Sequence, residues 1–198
     1  MSPGDAPSGD KPEPGLPEKL LLIEAAFCRA RLPHAFGGAI ALAYYATPRA
    51  TIDIDVNIFV DSERANEVVV TLSRLGVAEP TESEWLRLRR DGQARLHWGI
   101  TPVDLFFSYD AFHDACLERR RVFPFGESDT LHVLAAEDLM IFKAIFDREK
   151  DWRDIAELVF SLGEELDGAW VRDWLIRIVG EEDERFQRCC AALALEQP

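Results

Sequence analysis

Two short stretches of the sequence decide the predicted fold. The first is Phe36-Gly37-Gly38, a small-residue turn that leads into the helix-favouring run 38–46. The second is Arg49–Val56, which reads RATIDIDV. Apolar and polar residues alternate in this second stretch, which predicts a β-strand with one apolar and one polar face. The rest of the chain is interpreted around this turn, helix and strand.

Composition limits the kinds of partner that the chain can bind. Its 198 residues, 47% of them hydrophobic, are enough to bury a core. The net charge is −14 and the pI about 4.7, so we expect no binding of duplex DNA by bulk electrostatics. A polyanionic ligand must instead be received locally, by backbone N–H groups, a metal or a few cations.

The sequence gives no sign of a membrane or secretory segment. It contains no run of about eighteen apolar residues, and Met1–Pro14 carries no apolar stretch of the kind found in signal peptides. We expect a disordered tail over residues 1–16, a cytoplasmic location and no membrane partner. The cysteines match no zinc-binding spacing, so we expect reduced thiols without an assigned function: Cys28, Cys116, Cys189 and Cys190.

Periodicity and turn residues predict an α+β chain. We expect helices over 17–32, 38–46 and 110–120, another from Asp61 to about 75, and strands over 34–36, 50–60, 95–99, 103–107, 122–125 and 131–134. Residues 85–90 fit either a strand or a helix, and turns are expected at 91–92 and 101–102. The composition becomes helical near residue 135. This predicts an α/β domain over 17–134, with a short mixed sheet flanked by helices, and a C-terminal helical bundle over 135–198.

The two aspartates of the predicted strand are the first candidate site. Asp53 and Asp55 stand at i and i+2, so their side chains leave the same face about 7 Å apart. Two carboxylates in this arrangement suit Mg²⁺, which takes a few protein oxygens and completes its shell with water and phosphate. Like charges repel and Asp disfavours strands, which argues for a ligand. The alternation alone equally fits a solvated edge strand.

Gly37 and Gly38 are the second candidate site. Glycines before a helix let the backbone approach a ligand closely, and the helix N-terminus offers N–H groups to a phosphate. A plain tight turn has the same sequence pattern.

A later aspartate and a helical lysine extend the candidate site. Asp104 interrupts the apolar run Pro102–Phe107, where a third carboxylate could act as a general base, or could simply be exposed on an edge strand. Lys143 lies in a helix that is apolar nearly all round, so it needs a phosphate or carboxylate partner unless it snorkels to solvent. Downstream, Asp151 is predicted to cap the next helix, with Asp154 at its third position.

Taken together, these motifs resemble the DNA polymerase β-like nucleotidyltransferase superfamily, and most closely the small bacterial members of abortive-infection and toxin–antitoxin systems. In that family a Gly-Gly or Gly-Ser turn opens a helix, an Asp-x-Asp strand follows, and a third Asp lies on a later strand. The toxin-like group adds a helical Lys and then Arg-x-Lys-Asp-x-x-Asp. The similarity covers about residues 18–160, and the matching positions are Gly37, Gly38, Arg49, Thr51, Asp53, Asp55, Asp104, Lys143, Arg148, Lys150, Asp151 and Asp154.

The resemblance implies a nucleotidyltransferase fold and metal-dependent transfer of NMP from an NTP, such as ATP, to a hydroxyl acceptor, with release of pyrophosphate. Asp53, Asp55 and Asp104 would hold two Mg²⁺ ions, with Mn²⁺ as an alternative, and Asp104 would favour deprotonation of the acceptor. The positions implied to bind nucleotide or phosphate are Gly37, Gly38, Arg49, Thr51, Lys143, Arg148 and Asp151. The acceptor could be a small molecule, a protein or tRNA, and a cognate antitoxin would be a partner.

Two alternatives remain at this point. The chain could be a non-catalytic nucleotide-binding or regulatory member of the same fold, because its acidity would repel a nucleic-acid acceptor. It could also be a glycosyltransferase, since Asp-x-Asp binds Mn²⁺ and sugar nucleotides in that class. The order of the Gly-Gly turn, helix and Asp-x-Asp strand fits nucleotidyl transfer better.

Overall fold

A computed structural model of the chain describes residues 13 to 194. The helices in this range are α1 (Leu16–Ala30), α2 (Gly38–Leu42), α3 (Ala65–Ser73), α4 (Glu82–Asp91), α5 (Ala111–Arg119), α6 (Ala136–Phe146), α7 (Glu149–Leu162), α8 (Gly168–Val179) and α9 (Glu184–Ala194). The strands are β1 (His34–Phe36), β2 (Ile54–Asp61), β3 (Gln93–Trp98), β4 (Thr101–Ser108), β5 (Arg121–Phe125) and β6 (Asp129–Val133). Most of the predicted disordered tail lies outside the described residues.

The described strands form one mixed sheet in the order β3-β4-β2-β1-β6-β5. β2 pairs in parallel with β4, and β1 in parallel with β6, while β1 and β2, β3 and β4, and β5 and β6 are antiparallel. Helices flank this sheet. The predicted α+β class with a mixed sheet flanked by helices is confirmed.

β2 lies inside the sheet between β4 and β1, and this corrects the expectation of one solvated face. Asn57, predicted on the polar face, is only 4% exposed, and the neighbouring Phe59 is also buried. A strand that is paired on both edges and covered on both faces buries polar positions as well as apolar ones. β2 also begins at Ile54, so Asp53 lies in the segment that leads into the strand.

A helix cap and a glycine turn account for two further differences from the predicted elements. Residues 85–90, which fitted either structure, belong to helix α4, because Thr81 and Glu84 form a reciprocal capping box at its start. The turn predicted at 101–102 lies earlier, since β4 already begins at Thr101 and Gly99 takes the positive φ of 57°. Gly99 therefore makes the turn between β3 and β4.

Helix α6 joins the helical region to the sheet. It contacts α2, α7, α8 and α9, and residues from both regions contribute to a single hydrophobic core. The boundary near residue 135 thus separates two kinds of secondary structure that pack against each other. None of the helices within residues 13–194 combines the length and apolarity needed to span a membrane.

The central position of β2 predicts a strong effect of a core substitution there. Ile58 is fully buried on β2, whereas Ile52 is 67% exposed just before the strand. Ile58→Ala should lower the free energy of unfolding by about 2–5 kcal/mol, because it removes buried methyl groups and leaves a cavity. Ile52→Ala, the matched control, should change it by less than about 0.5 kcal/mol. Urea unfolding followed by circular dichroism measures both, and equal losses would contradict the position assigned to β2.

Candidate active site

Three predicted carboxylates lie in one cleft. Asp55 on β2 and Asp104 on β4 are directly opposite each other in the parallel register. Residues opposite each other on neighbouring strands present their side chains to the same face of the sheet. Asp53 precedes Asp55 by two residues, and all three aspartates line a cleft with about 630 Å³ of empty space. The sequence prediction that these carboxylates share one location is consistent with this arrangement.

Asp55 carries an unfavourable charge in this cleft. Burial, followed by the charges of Asp104 and Asp53, raises the pKa of Asp55 to about 6. Within residues 13–194 its carboxylate has no hydrogen-bond donor, and Lys143 and Lys150 act on it only through their charges. A half-buried carboxylate without a donor is the kind of group that a bound cation would stabilise.

Asp104 is instead paired with a cation that the sequence analysis did not identify. Arg95 stands opposite Asp104 on β3 and donates two hydrogen bonds to its carboxylate, at 2.7 and 2.6 Å. Among the described residues, the carboxylate oxygens of the three aspartates do not all come within 4.8 Å of one another. Arg95 thus neutralises Asp104 where a metal ion would otherwise do so. In the sequence, this ion pair is visible only as two oppositely charged residues, Arg95 and Asp104, nine positions apart on either side of a predicted turn.

The glycine turn fits closely against Asp55. Gly38 has a φ of +53°, which favours glycine, and a Cβ built on it would lie 1.8 Å from Asp55 Oδ2. This contact accounts for a glycine at position 38. The Gly37 N–H donates to the Asp55 carbonyl at 2.9 Å, so this amide would have to leave that partner to bind a phosphate, and its predicted role stays a prediction. The phosphate-binding role of the Gly38 amide stays a prediction.

Lys143 and Arg49 share a buried carboxylate on α7. Lys143 is only 3% exposed and donates to Asp154 at 2.5 Å, so it does not snorkel to solvent. Arg49 donates two hydrogen bonds to the same carboxylate, at 3.0 and 3.1 Å. Burial alone would raise the pKa of Asp154, but the hydrogen bonds from Arg49 and Lys143 lower it below its usual value. The predicted partner of Lys143 is therefore a carboxylate, and a phosphate would have to share the lysine with it.

Arg148 and Asp151 form the N-terminal cap of α7. Helix α7 starts at Glu149, so Asp151 occupies its third position and Arg148 its cap, which corrects the predicted cap at Asp151. The Arg148 guanidinium donates to Asp151 at 2.6 and 3.2 Å, and Asp151 is 1% exposed. Thr51 accepts a hydrogen bond from the Asp53 N–H at 3.2 Å and so shapes the segment before β2. Arg148, Asp151 and Thr51 all line the cleft.

An aromatic wall closes one side of the cleft and was not predicted. Phe106 on β4 and Phe146 at the end of α6 have ring centroids 5.5 Å apart, and Phe142 and Leu139 continue the apolar surface. Apolar and aromatic walls with a few polar groups are typical of small-molecule sites. The sequence placed these rings only on separate elements, so their meeting depends on the packing of α6 against the sheet.

The set of three aspartate carboxylates in the cleft fits a hard divalent cation. Oxygen ligands from few carboxylates, with room for water and phosphate, are what Mg²⁺ prefers. Asp53 and Asp55 face the cleft, and Asp104 can join them where Arg95 releases it. The donor set therefore agrees with the predicted Mg²⁺ or Mn²⁺ and contains no soft ligand.

The contact between Gly38 and Asp55 predicts a specific effect of a single methyl group. Gly38→Ala should destabilise the fold and displace the Asp55 carboxylate, because its Cβ would overlap the Asp55 oxygen. Gly126→Ala is the matched control, since Gly126 also has a positive φ, of 70°, but has nothing within 4 Å of its added Cβ. The control should cost about 1–2 kcal/mol from backbone strain alone. Thermal unfolding and Mg²⁺ titration measure both variants, and equal behaviour would contradict the contact.

The raised pKa of Asp55 predicts how stability varies with pH. The folded chain holds the Asp55 proton to about pH 6, whereas the unfolded chain releases it near pH 3.8. The stabilisation by protonated Asp55 is thus complete below pH 3.8 and is lost as pH rises through 6. Asp55→Asn should therefore raise the free energy of unfolding at pH 7 by on the order of 2 kcal/mol. Urea unfolding between pH 5 and 8 tests this, with the exposed Asp114→Asn as control, and a destabilised Asp55→Asn protein would contradict it.

Comparison with known proteins supports the fold. No family model matches the sequence, and none of the curated proteins does. Among solved structures, the antibiotic-resistance factor ANT(2'')-Ia is 19% identical with a TM-score of 0.58, covering 84% of this chain and 94% of its own. A nucleotidyltransferase-like protein from Paracoccidioides brasiliensis is 15% identical with a TM-score of 0.57, covering 92% and 88%. The sheet order, the cleft and these structural neighbours together identify the architecture of this chain as the nucleotidyltransferase fold.

Proposed function

We propose that the chain is a Mg²⁺-dependent nucleotidyltransferase that moves a nucleoside monophosphate from an NTP to a hydroxyl acceptor. The supporting observation is that carboxylates and cationic side chains line the same cleft. Asp53, Asp55 and Asp104 line one side, while the cationic side chains of Lys143, Arg148 and Lys150 line the same cleft from α6 and α7. A triphosphate carried with its cation needs both kinds of group within reach.

Each charged group has a role in this proposal. Asp53 and Asp55 hold the metal, which when bound supplies Lewis-acid stabilisation of the charge on the transferring phosphate. Lys143 and Arg148 are already paired with Asp154 and Asp151. Lys150 makes no ion pair with another described residue, so it is the cation most available to the phosphates. The aromatic wall offers a surface for the nucleobase.

The transfer step uses Asp104 as the proton acceptor. The hydroxyl oxygen of the acceptor forms a bond to the α-phosphorus, the bond from that phosphorus to the β-phosphate oxygen breaks, and pyrophosphate leaves. The hydroxyl proton passes to Asp104. Arg95 must first release the Asp104 carboxylate, and because it lines the same cleft we assign it a phosphate oxygen as its new partner.

The acceptor in this proposal is a small molecule. The net charge of −14 disfavours tRNA, which would be repelled over long range, and favours neutral or cationic hydroxyl compounds. A toxin-like role with a cognate antitoxin stays a prediction from the resemblance, and a cytoplasmic location stays a prediction from the sequence.

A non-catalytic nucleotide-binding protein is the second candidate. The observation that favours it is the Arg95–Asp104 ion pair, which occupies the carboxylate that would otherwise take the proton. If this pair persists with nucleotide bound, the cleft would bind NTP without turnover.

Transfer of label from α-³²P-NTPs tests the proposal. The protein is incubated with Mg²⁺, each of the four NTPs, and a panel of small hydroxyl compounds, tRNA and protein acceptors. We expect label on a small-molecule acceptor and release of pyrophosphate. Asp53→Asn and Asp55→Asn should each lower the rate by at least about 100-fold, because they remove metal ligands. Asp114→Asn, an exposed change on α5, is the matched control and should leave the rate unchanged.

The other outcomes separate the alternatives. No transfer, together with no nucleotide binding that Asp53→Asn removes, would refute the proposal. Nucleotide binding by calorimetry without turnover across the panel would favour the non-catalytic protein. Selective binding of UDP-sugars over NTPs would instead support a glycosyltransferase.

A further inference from the structure

A second group of metal-binding side chains lies outside the cleft. Glu24 and Cys28 are one turn apart on α1, and His132 lies on β6, which packs against α1. One potential ligand atom from each of these three residues lies within 4.8 Å of the other two. The spacing of the cysteines in the sequence gave no hint of this group, because its third member comes from a strand more than a hundred residues away.

The two oxygens of Glu24 have different surroundings. Oε2 lies 3.1 Å from His34 Nε2 and accepts from the His132 N–H at 3.0 Å. Oε1 lies 3.1 Å from Cys28 Sγ and 2.7 Å from His132 Nδ1. Oε2 is thus held by the fold. Oε1 instead faces Cys28 Sγ and His132 Nδ1, the two side-chain atoms that could bind the same metal ion as Oε1.

Glu24 is also held from the side away from the possible metal position. His34 is buried, and its Nε2 lies 3.1 Å from Glu24 Oε2. The Leu32 carbonyl, which can only accept, lies 3.0 Å from Nδ1 at the other side of the His34 ring and so fixes the orientation of the ring. Ligand carboxylates at metal sites are commonly held by a further hydrogen-bonding residue.

We propose that Glu24, Cys28 and His132 form a Zn²⁺ site. Zn²⁺ takes thiolate, imidazole and carboxylate ligands in a tetrahedral set, and water completes the set where a position is open. Cys28 is exposed, so solvent and metal can reach this side of the cluster. The soft thiolate distinguishes the site from the all-oxygen cleft, which suits Mg²⁺.

The binding step balances in protons and charge. In the metal-free form the Cys28 thiol donates to Glu24 Oε1. Zn²⁺ replaces that proton, so one proton is released for each ion bound, and His132 binds the ion through Nδ1 with its ring hydrogen on Nε2. The charge of the three ligands and the bound ion then sums to zero. Burial and the neighbouring Glu24 raise the pKa of the Cys28 thiol to about 11, and Arg120 offsets only part of this rise, so the ion itself has to displace the thiol proton.

The site would link α1 to β6 without touching the cleft. His34 pairs with Ile58 on β2, three residues beyond Asp55, which corresponds to about 10 Å along the strand. Metal binding to the folded chain should therefore stabilise the contact of α1 with the sheet, independently of nucleotide.

Cobalt titration of the full chain tests the proposal. Co²⁺ takes the place of Zn²⁺ and gives a near-ultraviolet charge-transfer band only when a thiolate is a ligand. We expect one equivalent of band-forming Co²⁺, displaced by one equivalent of Zn²⁺. Cys28→Ser should abolish the band, His132→Gln should weaken Zn²⁺ binding at least about 100-fold, and His34→Gln about 10–100-fold. Cys190→Ser, a partly exposed cysteine on α9, is the matched control and should keep the band.

A second measurement on the unmodified protein guards against variants that fail to fold. Zn²⁺ should slow the alkylation of Cys28 by iodoacetamide, mapped by mass spectrometry, and leave the rate at Cys190 unchanged. Equal alkylation of Cys28 with and without Zn²⁺, or a cobalt band that survives Cys28→Ser, would overturn the proposal. Neither result depends on nucleotidyl transfer, because an all-carboxylate cleft gives no thiolate band.

Discussion

The parallel pairing of β2 and β4 places two carboxylates side by side. Their electrostatic repulsion is the constraint on which the arrangement of the cleft depends. Asp55 and Asp104 are opposite each other in the register, and Asp53 adds a third negative charge nearby. Like charges this close raise the pKa of a buried carboxyl unless a cation intervenes. Arg95 donates hydrogen bonds to Asp104, whereas the cations near Asp55 act on it only through their charges. A fold that keeps such a group gives up stability there, and the proposed function uses this charge to hold a cation.

The helical region contributes cationic side chains to the same cleft. Two buried aspartates on α7 hold these cations in place through ion pairs. Asp154 and Asp151 are almost fully buried on α7, where they hold Lys143, Arg49 and Arg148. Removing Asp154 would leave the buried Lys143 without its hydrogen-bonded partner, which is costly. These ion pairs also fix where the cationic side chains stand before any ligand arrives, and fixed cations lose little freedom on binding phosphate.

Much of the fold could be predicted from the sequence because local patterns carry it. The alternation in Arg49–Val56 predicted β2, and the Gly37-Gly38 turn predicted the start of α2. The composition shift near residue 135 predicted the helical half of the chain. The strand's full burial was not predictable, because alternation does not say how many neighbours a strand has. Arg95 was missed for a related reason: it becomes part of the site only through the register of β3 with β4.

The same limit applies to the cluster on α1. Glu24 and Cys28 are visible as an i, i+4 pair, yet nothing in the sequence joins them to His132 until β6 packs against the helix. Sequence motifs therefore pointed to the residues that line the cleft far better than to a site assembled from distant elements.

The bond between Arg49 and Asp154 has a consequence for how the chain folds. It joins residues 105 positions apart, and the parallel pairing of β2 with β4 also requires a long crossover. Contacts between distant parts of a chain form late and slow the search for the native state. The cleft is consequently complete only when the whole chain from α2 to α7 has folded, so a partly synthesised or partly unfolded chain lacks the assembled cleft.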